Sequence, residues 1–254
     1  MILAVDIGNT NVRWALFSGE QIASRGVVPT PELTHSDQSL ERALAEAGVA
    51  PSRVRRVIVG SVVSEAAHLR EDLVRIFGPQ VVWAHHRMDF GFDIEYDDAS
   101  CVGIDRLAGA LAAVELFGVP VIVADLGSAI TVDTVTADRR FLGGAIAPGR
   151  RMGAQALHRA TSLLPLVDPG KTPDLTGRST AECIRTGLFH SALGLVDGLV
   201  EKLRAEVVPG AYVVATGGDA PAISSASRQV QTVNPDLVLR GLYFLSKRAE
   251  TGEL

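Results

Sequence analysis

Short apolar runs that stop at Asp-x-Gly turns set the rhythm of this chain. Ile2 to Val5 is apolar, the run ends at Asp6-Ile7-Gly8-Asn9-Thr10, and alternation resumes through Val12, Trp14 and Leu16. An apolar run, a turn and then a period of two predict strand, tight turn, strand. The same figure returns at Val121 to Ala124, which runs into Asp125-Leu126-Gly127-Ser128-Ala129 and on to Thr131, Val132 and Thr134. Asp6 aligns with Asp125 and Gly8 with Gly127, nearly half a chain apart. Two lobes on one plan, each opening with a β-hairpin, account for that spacing.

Between the hairpins, apolar residues spaced by three and four predict helices over 40–47, 66–77 and 106–117, with strands over 54–60 and 81–84. In the second half, Phe141 to Pro148 reads as a strand, 149–157 and 181–203 as helices, and Ala211 to Ala215 as a late strand that reaches Thr216-Gly217-Gly218-Asp219. Strands alternating with helices imply an α/β fold with parallel members. The expected division is 1–117 for the first lobe and 118–254 for the second. Residues 164–179, rich in Pro, Gly, Asp and Thr, form a long loop of the kind usually kept for function.

Composition narrows the partner. Of 254 residues, 47% are hydrophobic and 21% charged, an ordinary globular mix that excludes disordered and collagen-like classes. The net charge of −5 argues against nucleic acid or an anionic membrane as the main partner and for a small molecule. No stretch approaches the roughly 18–20 apolar residues of a membrane span, and the N-terminus lacks a basic segment and a long apolar core. A cytoplasmic address is expected. The two cysteines, Cys101 and Cys183, fit neither a CxxC pair nor a disulfide framework, and the burial habit of cysteine predicts two buried free thiols. His85-His86 lacks a metal-ligand spacing. Arg53, Arg55 and Arg56 read as a solvated face, and Met88, Met152 and Trp83 as packing.

Three clusters carry candidate chemistry. A Gly-Asn-Thr turn between strands presents successive backbone N–H groups as an anion cradle, with Asn9 and Thr10 adding donors. Asp6, at a strand end, is placed to order Mg²⁺ rather than to touch phosphate. Asp125 holds the matching place, and Gly217-Gly218 leaves room for an adenine or ribose against the backbone. Asp-x-Gly also serves simple hairpin turns, and for either copy alone both readings stand. Gly103-Ile104-Asp105-Arg106 lies where a loop enters a helix. Asp105 there is either a general base beside an anion-clamping arginine or an N-cap beside a solvated one.

The order Asp6-x-Gly8-Asn9-Thr10, Gly103-x-Asp105-Arg106, Asp125-x-Gly127-Ser128-Ala129, Gly143-Gly144-Ala145-Ile146-Ala147-Pro148-Gly149 and Thr216-Gly217-Gly218-Asp219 closely resembles type III pantothenate kinase. Gly177-Arg178-Ser179-Thr180 and Pro235 to Leu242 extend the resemblance over essentially the whole chain. Each motif is weak alone, but together and in this order they are specific.

The resemblance implies two ribonuclease-H-like lobes of the actin-like, sugar-kinase and heat-shock-ATPase superfamily, with duplicated mixed sheets, and a homodimer. It implies ATP-dependent phosphorylation of pantothenate, the first step of coenzyme A synthesis. By position, Asp6, Ile7, Gly8, Asn9, Thr10, Asn11, Val12 and Arg13 would bind ATP phosphates and metal, with Ser128, Gly217 and Gly218 also on the nucleotide. Asp105 would be the base. Tyr96, Gly103, Ile104, Arg106 and Thr180 would hold pantothenate, and Asp125 a monovalent cation, K⁺ or NH₄⁺. Two positions depart from the family pattern: Ser128 stands where threonine is usual, and Asp97-Asp98 follows Tyr96 where a pair such as Asn-Pro is expected. A non-catalytic regulator of the same family, or a kinase with another small acceptor, are the competing expectations.

Overall fold

The computed structural model describes residues 1–30, 39–63, 67–170 and 173–251. It divides into two compact units, residues 1–112 with 236–254, and residues 113–235.

The first unit starts with β1 (Ile2–Ile7), β2 (Asn11–Ser18) and β3 (Gln21–Pro29). Next come α1 (Ser39–Glu46), β4 (Arg56–Ser61), α2 (Ala67–Phe77), β5 (Val81–Trp83), the short β6 (Asp93–Ile94) and α3 (Ile104–Phe117). Its sheet runs β3-β2-β1-β4-β5, antiparallel across β3, β2 and β1 and parallel from β1 to β5. β1 is buried at every position but one: Asp6 is half-buried near its end, and Ile2 to Val5 and Ile7 are sealed. That is the signature of a central strand. Leu3, Val5, Trp14, Val57 and Val59 pack with Leu40 and Leu44 of α1 and Leu69 and Leu73 of α2.

The second unit repeats the plan with β7 (Val121–Leu126), β8 (Ala129–Val135), β9 (Arg140–Pro148), β10 (Tyr212–Thr216) and β11 (Thr232–Val233). Here too the order is β9-β8-β7-β10-β11, antiparallel for the first three and parallel for the rest. The helices are α4 (Arg150–Ala160), α5 (Thr180–Glu206) and the short α6 (Ala220–Ser224). Phe189, Ala192, Val196 and Val200 along α5 bury one face of the sheet. Their spacing of three and four is the helical stripe that such burial requires. The duplicated mixed sheets expected from the sequence are present.

The division differs from the sequence expectation of 1–117 and 118–254, with the first stretch ending at residue 112 and residues from 236 rejoining the first unit. The chain returns at Asp236, and α7 (Leu237–Thr251) packs on β1, β4 and β2 of the first unit. The cause is an apolar stripe of Leu239, Leu242, Tyr243 and Leu245, all buried. Tyr243 stacks on Phe17 with centroids 4.5 Å apart. Burial of each such side chain contributes about 1.5–3 kcal/mol. Gly241 lies against the Ala108 carbonyl of α3, where any Cβ would overlap backbone. Arg55 reaches Glu250 at 3.0 Å and Arg56 donates to the Ser246 carbonyl at 3.1 Å, so part of the arginine run taken for a solvated face holds α7.

Two further expectations are corrected. Cys101 and Cys183 are free but exposed: Cys101 ends the short 99–101 turn and Cys183 lies in the first turn of the helix that starts at Thr180, neither in a core. Met152 is exposed on α4, whereas Met88 is buried as expected. Among the described residues, no helix is long and apolar enough to cross a membrane.

Candidate active site

In the first unit the β1–β2 turn is tied down from both sides of its backbone. The Gly8 N–H donates to the Asn11 carbonyl at 3.0 Å, and Thr30 Oγ1 donates to the Gly8 carbonyl at 2.6 Å. The Thr30 N–H donates to the Thr10 carbonyl at 3.0 Å. Carbonyls that would otherwise turn toward a ligand are thereby occupied. Asn9 and Thr10 are exposed at the tip. Ile7 and Val12 are fully buried in the core, so of these two only the backbone is available to a ligand. Asp6 pairs in register with Arg13 on β2 and with Gly60 on β4.

Gly60 links this hairpin to the next motif. A Cβ there would lie 3.2 Å from Ile104 Cγ2 and 3.1 Å from Leu242 Cδ2, so the end of β4 is bare enough for the start of α3 to settle on it. The helix begins at Ile104, and the Gly103 carbonyl accepts from the Arg106 and Leu107 N–H groups at 3.1 and 3.2 Å. Gly103 therefore caps the helix and Asp105 lies inside its first turn, which removes the N-cap reading of Asp105. The Asp105 carboxylate folds back and accepts from the Arg106 N–H at 2.8 Å, over a Gly103 that has no Cβ to obstruct it. A carboxylate here is also favoured by the positive end of the helix. The Arg106 guanidinium lies 6.0 Å from the centroid of Tyr96, which is 41% exposed. Beside Gly103 and Ile104 opens a cavity of about 710 Å³ whose walls include Arg70, Trp83 and His86.

In the second unit three motifs converge. Leu126 and Ile130 pair across the β7–β8 turn, and the Gly127 N–H donates to the Ala129 carbonyl at 3.0 Å. Gly217, at φ +92°, lies over Asp125, where a Cβ would overlap Asp125 Oδ1 and the Leu126 carbonyl group. This is a position only glycine fills without strain. The Asp219 N–H donates to the Leu126 carbonyl at 2.9 Å, and the Gly149 N–H to the Ser128 carbonyl at 3.1 Å. Asp125, Ser128, Gly217 and Gly218 are thus one surface. Thr180 is exposed at the first position of α5, behind an N-cap in which Ser179 Oγ accepts from the Glu182 N–H while the Glu182 carboxylate accepts from the Arg178 N–H.

Sequence reasoning missed Arg150, which forms a two-bond ion pair with Asp219 at 2.7 and 3.0 Å. The only local signal was an arginine placed directly after the glycine-rich Gly143–Gly149 stretch. It also missed Thr30, whose role depends on the Gly8 carbonyl in the β1–β2 turn, 22 residues away. Among the described residues no group of three or more His, Cys, Asp or Glu side chains could hold a metal. A Mg²⁺ carried by nucleotide phosphates needs only one or two protein carboxylates, not a cluster of three.

Residues 2–202 match the family model described as type III pantothenate kinase. The chain is 36% identical over 252 residues to the type III pantothenate kinase of Anaeromyxobacter dehalogenans, covering 98% of this chain and 99% of that one. It is 37% identical over 252 residues to that of Gluconobacter oxydans, covering 98% and 93%. Among solved structures it resembles a Baf family protein from Campylobacter jejuni (TM-score 0.64, 19% identity, 98% and 99% covered). It also resembles a ROK family glucokinase from Streptomyces griseus (TM-score 0.57, 14% identity, 97% and 99% covered). At those identities the structural likenesses speak to fold alone. By its sequence along nearly the full length, the chain belongs to the type III pantothenate kinase family.

Proposed function

We propose that this protein transfers the γ-phosphoryl group of ATP to the primary hydroxyl of pantothenate, giving 4′-phosphopantothenate for coenzyme A synthesis. The observation that carries the reading is the Asp105–Arg106 pair in the first turn of α3, beside Tyr96, in a chain of this family. Asp105 accepts the hydroxyl proton as the oxygen–phosphorus bond forms and the bond from the γ-phosphorus to the bridging oxygen breaks, releasing ADP. Arg106 and the Thr180 hydroxyl suit the pantothenate carboxylate, with Tyr96, Gly103 and Ile104 completing the wall.

Nucleotide phosphates fall to the backbone and side chains of 6–13 and to Ser128, and the adenosine to Gly217-Gly218. Asp6 would hold Mg²⁺, which when bound screens phosphate charge. Asp125, beside the bare Gly217 and the Leu126 carbonyl, suits a monovalent cation such as K⁺ or NH₄⁺. A homodimer in the cytoplasm belongs to the same reading. Met152, Leu163, Leu166 and Leu175 are exposed on α4 and the loop after it, an apolar face of the kind that a second copy covers. Light scattering at the mass of one chain would count against the dimer.

A coupled ADP-release assay tests the activity. ADP should appear only with pantothenate and faster with K⁺ or NH₄⁺ than with Na⁺. Asp105→Asn should lower kcat by about 10²–10⁴-fold while nucleotide affinity is kept. Turnover with a sugar and none with pantothenate would overturn the substrate, and unchanged turnover in Asp105→Asn would remove the base.

A further inference from the structure

Arg150 is 4% exposed, an unusual place for a guanidinium. A charge removed from water must be answered by partners, and here most of them are supplied. Nη2 donates to Asp219 Oδ1 at 2.7 Å and Nε to Oδ2 at 3.0 Å, the two-bond fork that fixes direction as well as distance. Nη2 also donates to the Gly170 carbonyl at 3.3 Å, and the guanidinium carbon lies 5.7 Å from the Phe189 ring centroid. Nη1 is buried with no partner among the described residues.

These contacts tie together the elements proposed to bind nucleotide. Asp219 directly follows Gly217-Gly218, and its N–H is bonded to Leu126 in the β7–β8 hairpin. Gly149 directly precedes Arg150, and its N–H is bonded to Ser128 in the same hairpin. One guanidinium therefore closes a ring that runs from the hairpin through Gly149 and Arg150 to Asp219 and back.

We infer that Arg150 is a positioning residue for phosphoryl transfer. Acting through Asp219, it holds the Gly217-Gly218 turn at a fixed height over Asp125 and Ser128, so that adenosine and phosphates meet parts that cannot drift apart. The inference rests on the nucleotide site proposed above. A packing role alone does not call for this chemistry, since a buried ion pair is commonly replaced by apolar residues at no loss of stability. What apolar residues cannot supply is the fork's orientation, and lysine, a point charge, supplies it only in part.

The test compares Arg150→Met, Arg150→Lys, Asp219→Asn and the Arg150→Met/Asp219→Asn double variant in the full-length protein. Thermal unfolding, titration with a fluorescent ATP analogue without acceptor, and separate KM values for ATP and pantothenate are the readouts. Arg150→Met should weaken analogue binding and raise the KM for ATP about ten-fold or more, with the KM for pantothenate within about two-fold. Arg150→Lys should fall between wild type and Arg150→Met. The double variant should be no worse than the worse single, because both changes cut one link.

A lower unfolding temperature with wild-type analogue affinity in the folded protein would reduce the pair to structure and overturn the inference. If Arg150→Met does not fold, unchanged affinity in both Arg150→Lys and Asp219→Asn overturns it equally. Because the titration needs no acceptor, an enzyme that ignores pantothenate yet loses nucleotide affinity on these changes would sink the substrate reading and leave Arg150 in place.

Discussion

The β1–β2 and β7–β8 hairpins are two versions of one device, and they are locked by opposite means. β1 and β7 share a burial pattern position by position: four sealed residues, a half-buried aspartate and a sealed residue. The turns then diverge. Ile7 pairs with Val12 around residues 8–11, whereas Leu126 pairs with Ile130 around the shorter 127–129. The longer turn is held by the Thr30 hydroxyl on the Gly8 carbonyl, and its tip stays exposed. The shorter one also leaves Ser128 exposed at its tip but is braced by glycines, with Gly149 on Ser128 and Gly217 on Asp125 and Leu126. The difference teaches that duplication preserved the strand carrying the carboxylate while each turn was fastened by what its own unit supplied. The first is held at its carbonyls by Thr30, and the second is wedged among glycines of its own unit.

The largest break in that comparison should come from adding one methyl group to each device. In Gly217→Ala the new Cβ overlaps the Leu126 carbonyl group, which is backbone and cannot step aside, at a φ of +92° that L-residues avoid. Strain and overlap together cost about 3 kcal/mol or more, enough to move the turn and weaken nucleotide binding well over ten-fold. In Gly8→Ala the Cβ meets only the Asn11 carbonyl oxygen, at 3.1 Å, and a shift of a few tenths of an ångström relieves it. That variant should lose no more than about 1 kcal/mol. Thermal unfolding of both proteins checks the ranking, and equal losses of stability would mean that the two turns are fastened alike.

A smaller effect sharpens the other side. Thr30 is 5% exposed and spends its hydroxyl on the Gly8 carbonyl. Thr30→Val keeps the shape and removes that bond, costing about 1 kcal/mol with the carbonyl left to turn toward the phosphates. The KM for ATP should rise several-fold while the KM for pantothenate stays put. No change in either would show that the Gly8 turn holds itself.

The hairpins were legible because an apolar run closing on Asp-x-Gly is a local signal, complete within about ten residues. Asp105 was legible as a chemical group, but its place inside the helix turn was not, since Gly103 could be recognised as the cap only once the helix start was seen. β3 escaped because its residues alternate between exposed and half-buried with no sealed position, so it lacks the apolar mark of a strand. β6 and β11 have two residues each, and strands so short are defined by what they pair with. The return of α7 to the first unit depends on a surface formed more than a hundred residues earlier in the chain. Arg150 looked like an ordinary charged helix residue because its partner lies 69 positions away. What sequence hides here is consistently the non-local partner that makes a polar group buried.

The smallest effect concerns how the two units are closed. The second unit is one continuous stretch, whereas the first needs α7 to come back to it, and charged pairs hold that helix. Asp89 bonds Arg248 at 2.7 Å, and Glu250 reaches Arg55 at 3.0 Å and Lys247 at 3.2 Å. Partial burial pushes both carboxyls up, but the Gly91 N–H and Arg248 at Asp89, and Lys247, Arg55 and Arg56 at Glu250, outweigh it. Both are held below their ordinary values of 3.8 and 4.5. A carboxyl whose pKa is lowered by folding stabilises the fold above its unfolded value, and that contribution is withdrawn as pH falls through the lower, folded one. Acid below about pH 4.5 should therefore loosen α7 and the first unit ahead of the second. Both tryptophans, Trp14 and Trp83, lie in the first unit, so their fluorescence reports it alone. On acidification the tryptophan signal should change at a higher pH than the far-ultraviolet circular dichroism of the whole chain, by a fraction of a pH unit given how exposed these pairs are. Asp89→Asn should narrow that gap, because an amide has no proton to gain in this range. Coincident transitions in the parent protein would mean that the ion pairs on α7 play no part in the order of acid unfolding.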